Sequence, residues 1–204
     1  MTALTPRSYA AAVDFLVSKD RDLAAIVERY GAPKLLSRAP GFPSLVYIIF
    51  EQQVSLASAK ATFDKVSKLL PVFDEYSYLG LSDIALRSAG VSRQKIRYTR
   101  LVAQAILTGD LPIRSLGRKD DATVRELLTA ITGVGNWTAD VYLMVALRRP
   151  DLWPVGDLAL VKATAIVKGV KGKPDKDWLE SLGERYRPYR SVATGIFWRH
   201  YLNS

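Results

Sequence analysis

The 204-residue chain contains no cysteine. That single absence excludes disulfides, zinc sites built on thiolates and iron–sulfur clusters, and it fits a reducing cytoplasm or nucleoid. No run of about 20 apolar residues is present to span a bilayer, and Met1 to Tyr9 lacks the apolar stretch of a secretion signal. The expectation is an intracellular protein with no membrane partner. Convincing period-two alternation is also missing, so the chain should be nearly all α-helical. Acidic side chains are in deficit, 20 against 29 Lys and Arg, which gives a formal charge of +9 and a pI near 9.7. Such an excess suits a polyanion, whether DNA, RNA or an anionic membrane surface, and equally a merely solubilising surface. What remains, 49% hydrophobic and 24% charged, is an ordinary globular composition with enough chain to bury a core.

Helical spacing runs from Ser8 to Arg29, with Lys19-Asp20-Arg21-Asp22 as an interruption or cap. A loop rich in proline and glycine follows, and a helix is predicted to restart near Ser44. The segment beginning SLVYIIFEQQVS is strongly apolar until Glu51, Gln52 and Gln53, which must find partners or face a groove. Helices are predicted over Leu81 to Ala89 and again from Val91 onward, the second opening with Arg93, Lys95, Arg97 and Arg100. Cations near a helix start are disfavoured by its dipole unless an anion is bound, which hints at phosphate, though a solvated charge run is the common explanation. Further helices are expected over Arg118 to Leu128, Thr138 to Leu147, Asp157 to Lys168, Asp177 to Tyr186 and Ser191 to Leu202.

Two stretches carry chemistry. Thr132-Gly133-Val134-Gly135-Asn136 joins two helical patterns with a glycine turn. Glycines let the backbone turn tightly and leave amide N–H groups at the next helix start, where they suit a phosphate oxygen and read no bases. Some twenty residues later, Trp153-Pro154-Val155-Gly156 leads to Asp157 at a helix start. That position favours an ionised carboxylate and equally fits a plain helix cap. Asp140 and Asp151 are the rival carboxylates.

Taken with their flanks, Ile131 to Ala139 and Trp153 to Leu158 resemble the helix–hairpin–helix DNA glycosylase superfamily, nearest its 3-methyladenine DNA glycosylase II (AlkA-type) branch. Ile48 to Ser55, Gly90 to Lys95, and Pro188 to Ser191 with Trp198 fit the same pattern in the same order, over roughly residues 40 to 202. The resemblance implies an all-α, two-lobed fold with the active-site cleft between lobes, lacking the family's extra N-terminal α/β lobe. Residues 1–204 then form one unit: lobe one spans about 41–154 with the hairpin, lobe two about 1–40 plus 155–204. It implies a monomeric enzyme that flips an alkylated purine out of double-stranded DNA and hydrolyses its N-glycosidic bond, as base excision repair requires. Asp157 becomes the catalytic aspartate, a carboxylate able to stabilise an oxocarbenium-like sugar. Trp137, Trp198 and Tyr142 are assigned to the base pocket, Gln53 to the wedge that fills the vacated stack, and Gly133, Val134, Gly135 and Thr138 to phosphate binding. No cofactor is required, and any metal would be a structural sodium or potassium ion on the carbonyls of Thr129, Ile131 and Val134.

Two departures matter. Trp137 stands where strand-cleaving relatives carry a Schiff-base lysine, and an indole is no nucleophile, so a monofunctional enzyme is expected. Val141 stands where a relative has a pocket tyrosine, with Tyr142 adjacent but about 100° away on a helix. The alternative is a non-catalytic module that binds damaged or distorted DNA through the same hairpin.

Overall fold

The computed structural model describes residues 3–204, and among them no strand occurs. Twelve α-helices follow one another: α1 (Pro6–Lys19), α2 (Arg21–Tyr30), α3 (Phe42–Glu51), α4 (Leu56–Ser67), α5 (Glu75–Gly80), α6 (Asp83–Ser88), α7 (Arg93–Thr108), α8 (Asp121–Thr129), α9 (Asn136–Val145), α10 (Leu158–Val167), α11 (Lys176–Glu184) and α12 (Arg190–Tyr201), with a 3-10 turn at Ile113–Arg118 before α8.

Side-chain caps fix most of the boundaries. Thr5, Asp20, Ser55, Asp74, Ser82, Ser92, Asp120, Asp157 and Asp175 each accept a backbone N–H of the first turn that follows, which satisfies donors that a helix start leaves orphaned. Asp20 therefore splits the first helical pattern in two. Ser44, near which the helix is expected to restart, lies inside α3, buried, with its hydroxyl donating to the Ala39 carbonyl. Pro43 occupies the first turn of α3, where its missing N–H costs nothing.

The chain divides into two compact units: a split unit, Met1–Ser37 with Leu143–Ser204, and a continuous unit, Arg38–Tyr142. In the split unit, Leu16, Leu23, Leu160, Ala163, Val192, Ile196 and Phe197 form one fully shielded core. Helix α12 packs there against α10, α2 and α1. In the continuous unit, α3 packs on α4 and α7, and α5 on α7. Rings of Phe42, Phe63, Phe73 and Tyr78 meet in an aromatic cluster with centroids 4.9–6.0 Å apart, within the range of favourable aromatic pairs. Two turns, one before α9 and one before α10, connect helices of these units.

Candidate active site and nucleic-acid interface

The turn before α9 belongs to the continuous unit. Helix α8 closes at Thr129, and the chain reverses through Ile131–Gly135, with the Val134 N–H donating to the Ile131 carbonyl at 3.0 Å. Gly133 has φ of +93°, and a Cβ there would lie 2.0 Å from Cγ of Tyr98. Only glycine admits both that backbone and that ring. From behind, the Gln52 side-chain amide donates to the Gly133 carbonyl and to the Thr138 hydroxyl, each at 3.0 Å. Gly135 and Asn136 remain exposed.

This geometry redistributes the phosphate-binding set. Thr138 is 1% exposed, and its hydroxyl is engaged by Gln52, so its side chain holds the hairpin rather than facing a ligand. Val134 is buried, and its amide serves the turn itself. Gly133 and Gly135 are the members of the set with backbone near the surface.

Gln53 stands one residue beyond Gln52 and does the opposite. It is exposed and holds φ of +58°, a left-handed conformation that costs a non-glycine residue about 1–2 kcal/mol. Its neighbour Phe50 has its carbonyl capped at 2.8 Å by the Lys95 ammonium, and burial pulls the pKa of that ammonium below its ordinary value. Two of the four cations at the start of α7 are thereby explained structurally, since the Arg100 guanidinium donates to the carbonyls of Leu79 and Leu81 and to Asp83.

Tyr142 requires a correction. Its ring is fully buried, its hydroxyl accepts the Gly41 N–H at 3.0 Å, and burial pushes its pKa up to about 12. With no surface to present, it is a core residue rather than a pocket wall. Val141 is buried as well, while Trp137, in the first turn of α9, is half-exposed.

The second turn lies in the split unit. Trp153 is buried, its indole N–H donates to the Leu179 carbonyl, and its ring lies so close to Gly183 that a Cβ there would sit 2.5 Å from Cδ1. So anchored, the turn closes with the Asp157 N–H on the Pro154 carbonyl at 2.8 Å. Asp157 caps α10: its Oδ1 accepts the Leu160 N–H at 2.7 Å and the Trp198 indole N–H at 2.8 Å, and the residue is only 7% exposed. Asp157 and Trp198 are thus in direct contact. The far end of α10 is also tied, because Lys168 donates to both Asp20 oxygens and to Asp22 while the Tyr186 hydroxyl donates to Asp20.

The rival carboxylates have other duties. Asp140 accepts from the Arg125 guanidinium. Asp151 is gripped by Arg187 and by two nitrogens of Arg190. Among the described residues no group of three His, Asp or Glu side chains could hold a metal ion, and no helix is long and apolar enough to cross a membrane.

Residues 46–188 match the family described as "HhH-GPD superfamily base excision DNA repair protein", and the chain belongs to that family. It is 26% identical over 198 residues to the alkylbase DNA glycosidase-like protein mag2 of Schizosaccharomyces pombe, covering 94% of this chain and 93% of that one. Among solved structures, the DNA-3-methyladenine glycosidase of Bacillus halodurans is 32% identical with a TM-score of 0.76, covering 100% of this chain and 94% of that one. The 3-methyladenine DNA glycosylase Mag1 of S. pombe, solved in complex with abasic DNA, superposes with a TM-score of 0.85 at 22% identity over 92% of this chain and 95% of that one.

Proposed function

We propose that this protein is a DNA glycosylase that removes alkylated purines of the 3-methyladenine and 7-methylguanine type from duplex DNA by hydrolysis, leaving an abasic site. The observation that carries this reading is Asp157: a shielded carboxylate at a helix N-terminus, fixed by an indole N–H and a backbone N–H, while the rival carboxylates are committed to arginines. Relatives named as 3-methyladenine and alkylbase glycosylases support it.

Alkylation at N3 or N7 makes the purine cationic and weakens its bond to C1′. As that bond breaks, its electron pair leaves with the base, which departs neutral, and positive charge grows on the sugar. A fixed carboxylate lowers the energy of that charge without having to reorganise. Water then bonds to C1′ and sheds a proton. The base must first leave the stack, and Gln53 takes its place there. The hairpin amides around Gly133 and Gly135 hold backbone phosphate. Trp198, in contact with Asp157, is the aromatic wall for the cationic base, a cation–π attraction of about 0.5–2 kcal/mol. A monovalent cation on the carbonyls of Thr129, Ile131 and Val134 fits a turn in which the Ile131 carbonyl already accepts one N–H and keeps a second lone pair for an ion. Trp137 supplies no amine, so no strand cleavage accompanies excision.

The test is release of methylpurines from methylated duplex DNA, followed by chromatography. Wild type should release them, and Asp157→Asn, which keeps a good N-cap, should slow release about 10³-fold. Undiminished release by the variant would remove the mechanism. No release from any lesion by the wild type would leave a module that binds damaged DNA.

A further inference from the structure

The cations of α7 divide into two kinds. Lys95 and Arg100 are spent on backbone carbonyls of the continuous unit. Arg93 and Arg97 are exposed, and neither has an ion pair or side-chain hydrogen bond among the described residues. With Arg100 and the exposed Gln104 they border an open groove of about 310 Å³ whose floor includes the buried Ile96. The only carboxylate at that groove is Asp83, already paired with Arg100.

Positions 93, 97, 100 and 104 fall in one stripe of about 60° on a helix that turns about 100° per residue. Tyr98, the residue that meets Gly133 of the hairpin, lies about 130° around the axis from that stripe. The stripe is therefore a separate face from the one that supports the hairpin. Its first residues lie at the same level along the helix as the residues that meet the hairpin and the wedge turn, since Lys95 is tied to Phe50, three residues before Gln53, and Tyr98 lies on Gly133. From there it runs about 16 Å up the helix. Arg93 and Arg97 stand about 6 Å apart along the axis, close enough to take two phosphates of one strand, whose charges recur about every 3.4 Å of duplex axis.

We propose that this face of α7, Arg93 and Arg97 first and Gln104 behind them, is a second phosphate track that holds the duplex flank beyond the hairpin contact. It rests on the reading of the protein as one that binds DNA. Arg93 and Arg97, which have no anion of their own and sit at the level of the wedge turn along the helix, match a backbone that leaves the lesion in one direction. No base edge is read, so the track adds affinity and footprint without sequence preference.

The test is binding of a fluorescent duplex of about 25 base pairs carrying an abasic-site analogue, titrated across a range of salt concentrations. For Arg93→Ala/Arg97→Ala, the slope of log K against log salt should fall by about 1.8, two phosphates at about 0.9 each, and Kd at moderate salt should rise at least tenfold, about 1.4 kcal/mol. Arg93→Lys/Arg97→Lys should restore most of the slope, since a point charge suffices for a phosphate. On a duplex truncated to the lesion and its immediate neighbours, the alanine variant and wild type should bind alike. An unchanged slope in an alanine variant that melts like wild type overturns the proposal and assigns the face to an acidic protein surface instead. Since binding is read, a wild type that binds with a steep slope yet excises nothing would sink the glycosylase reading and leave this one standing.

Discussion

Two turns each lead into the start of a helix, and they use side chain and backbone in opposite ways. Before α9, backbone is what is offered, at Gly133 and Gly135, while side chains stay behind it: Gln52 grips the Gly133 carbonyl, and Tyr98 fills the space a Cβ would need. Before α10, a side chain is what is offered, the Asp157 carboxylate, and it is steadied by the Leu160 N–H and by the Trp198 indole. A phosphate backbone is a repeating, sequence-blind partner and is met by repeating amides. On the function proposed, a single developing charge on a sugar calls for a single preorganised anion. The difference predicts that damage to the first turn should appear in binding and stability, and damage to the second in rate.

The largest effect expected at the hairpin comes from Gly133→Ala. A left-handed φ adds about 1–2 kcal/mol for alanine, and displacement of the Tyr98 ring adds about 1–3 kcal/mol of overpacking. Chemical denaturation should register the loss, and binding to abasic duplex should fall with it. Adding Tyr98→Ala should return the steric part alone. A Gly133→Ala protein as stable as wild type with intact binding would break the comparison. Next comes Gln52→Ala, which strips the donor from the buried Thr138 hydroxyl and from the Gly133 carbonyl, a cost of about 1–3 kcal/mol. Stability and DNA affinity should decline together, with the rate of the bound complex little changed.

Trp198→Phe probes the other turn. It keeps an aromatic ring but deletes the N–H on Asp157, and a hydrogen bond to a charged group contributes about 1.5–3 kcal/mol. Single-turnover excision should slow by at least about tenfold, while Kd for abasic duplex stays within about twofold. A change in Kd alone would make Trp198 a wall for the base and nothing more.

How much of this was legible beforehand depends on the range of the interaction. Helix periodicity and caps are local, so Asp157 as cap and Gly133 as turn residue could be read directly from their neighbours. The division of labour between Gln52 and Gln53 could not. Both follow the same apolar run, but one reaches 81 residues ahead to Gly133 and the other sits on a left-handed backbone pointing outward. The short α5 also escaped: its place is set by Asp74 capping it and by Tyr78 packing into the core. Tyr142 shows the limit of resemblance, since neighbouring a pocket position in sequence did not stop it from being buried with its hydroxyl on Gly41. The inward and outward cations of α7 were likewise indistinguishable as a charge run.

The smallest expected effect on stability is also the most discriminating, because its sign differs from its effect on function. Gln53 is exposed and holds φ of +58°, and nothing about core packing requires a glutamine there. Gln53→Gly would relieve the left-handed strain, partly offset by glycine's greater unfolded-state entropy, so the folded state should gain a few tenths to about 1 kcal/mol. If the side chain fills the gap left by a flipped nucleotide, the same variant should excise more slowly from duplex DNA and lose little on single-stranded substrate, where no stack needs holding open. A higher melting temperature coupled to a duplex-specific loss of rate would show strain retained for function. Equal rates on both substrates would leave the backbone conformation as a property of the turn alone, with the wedge to be sought elsewhere.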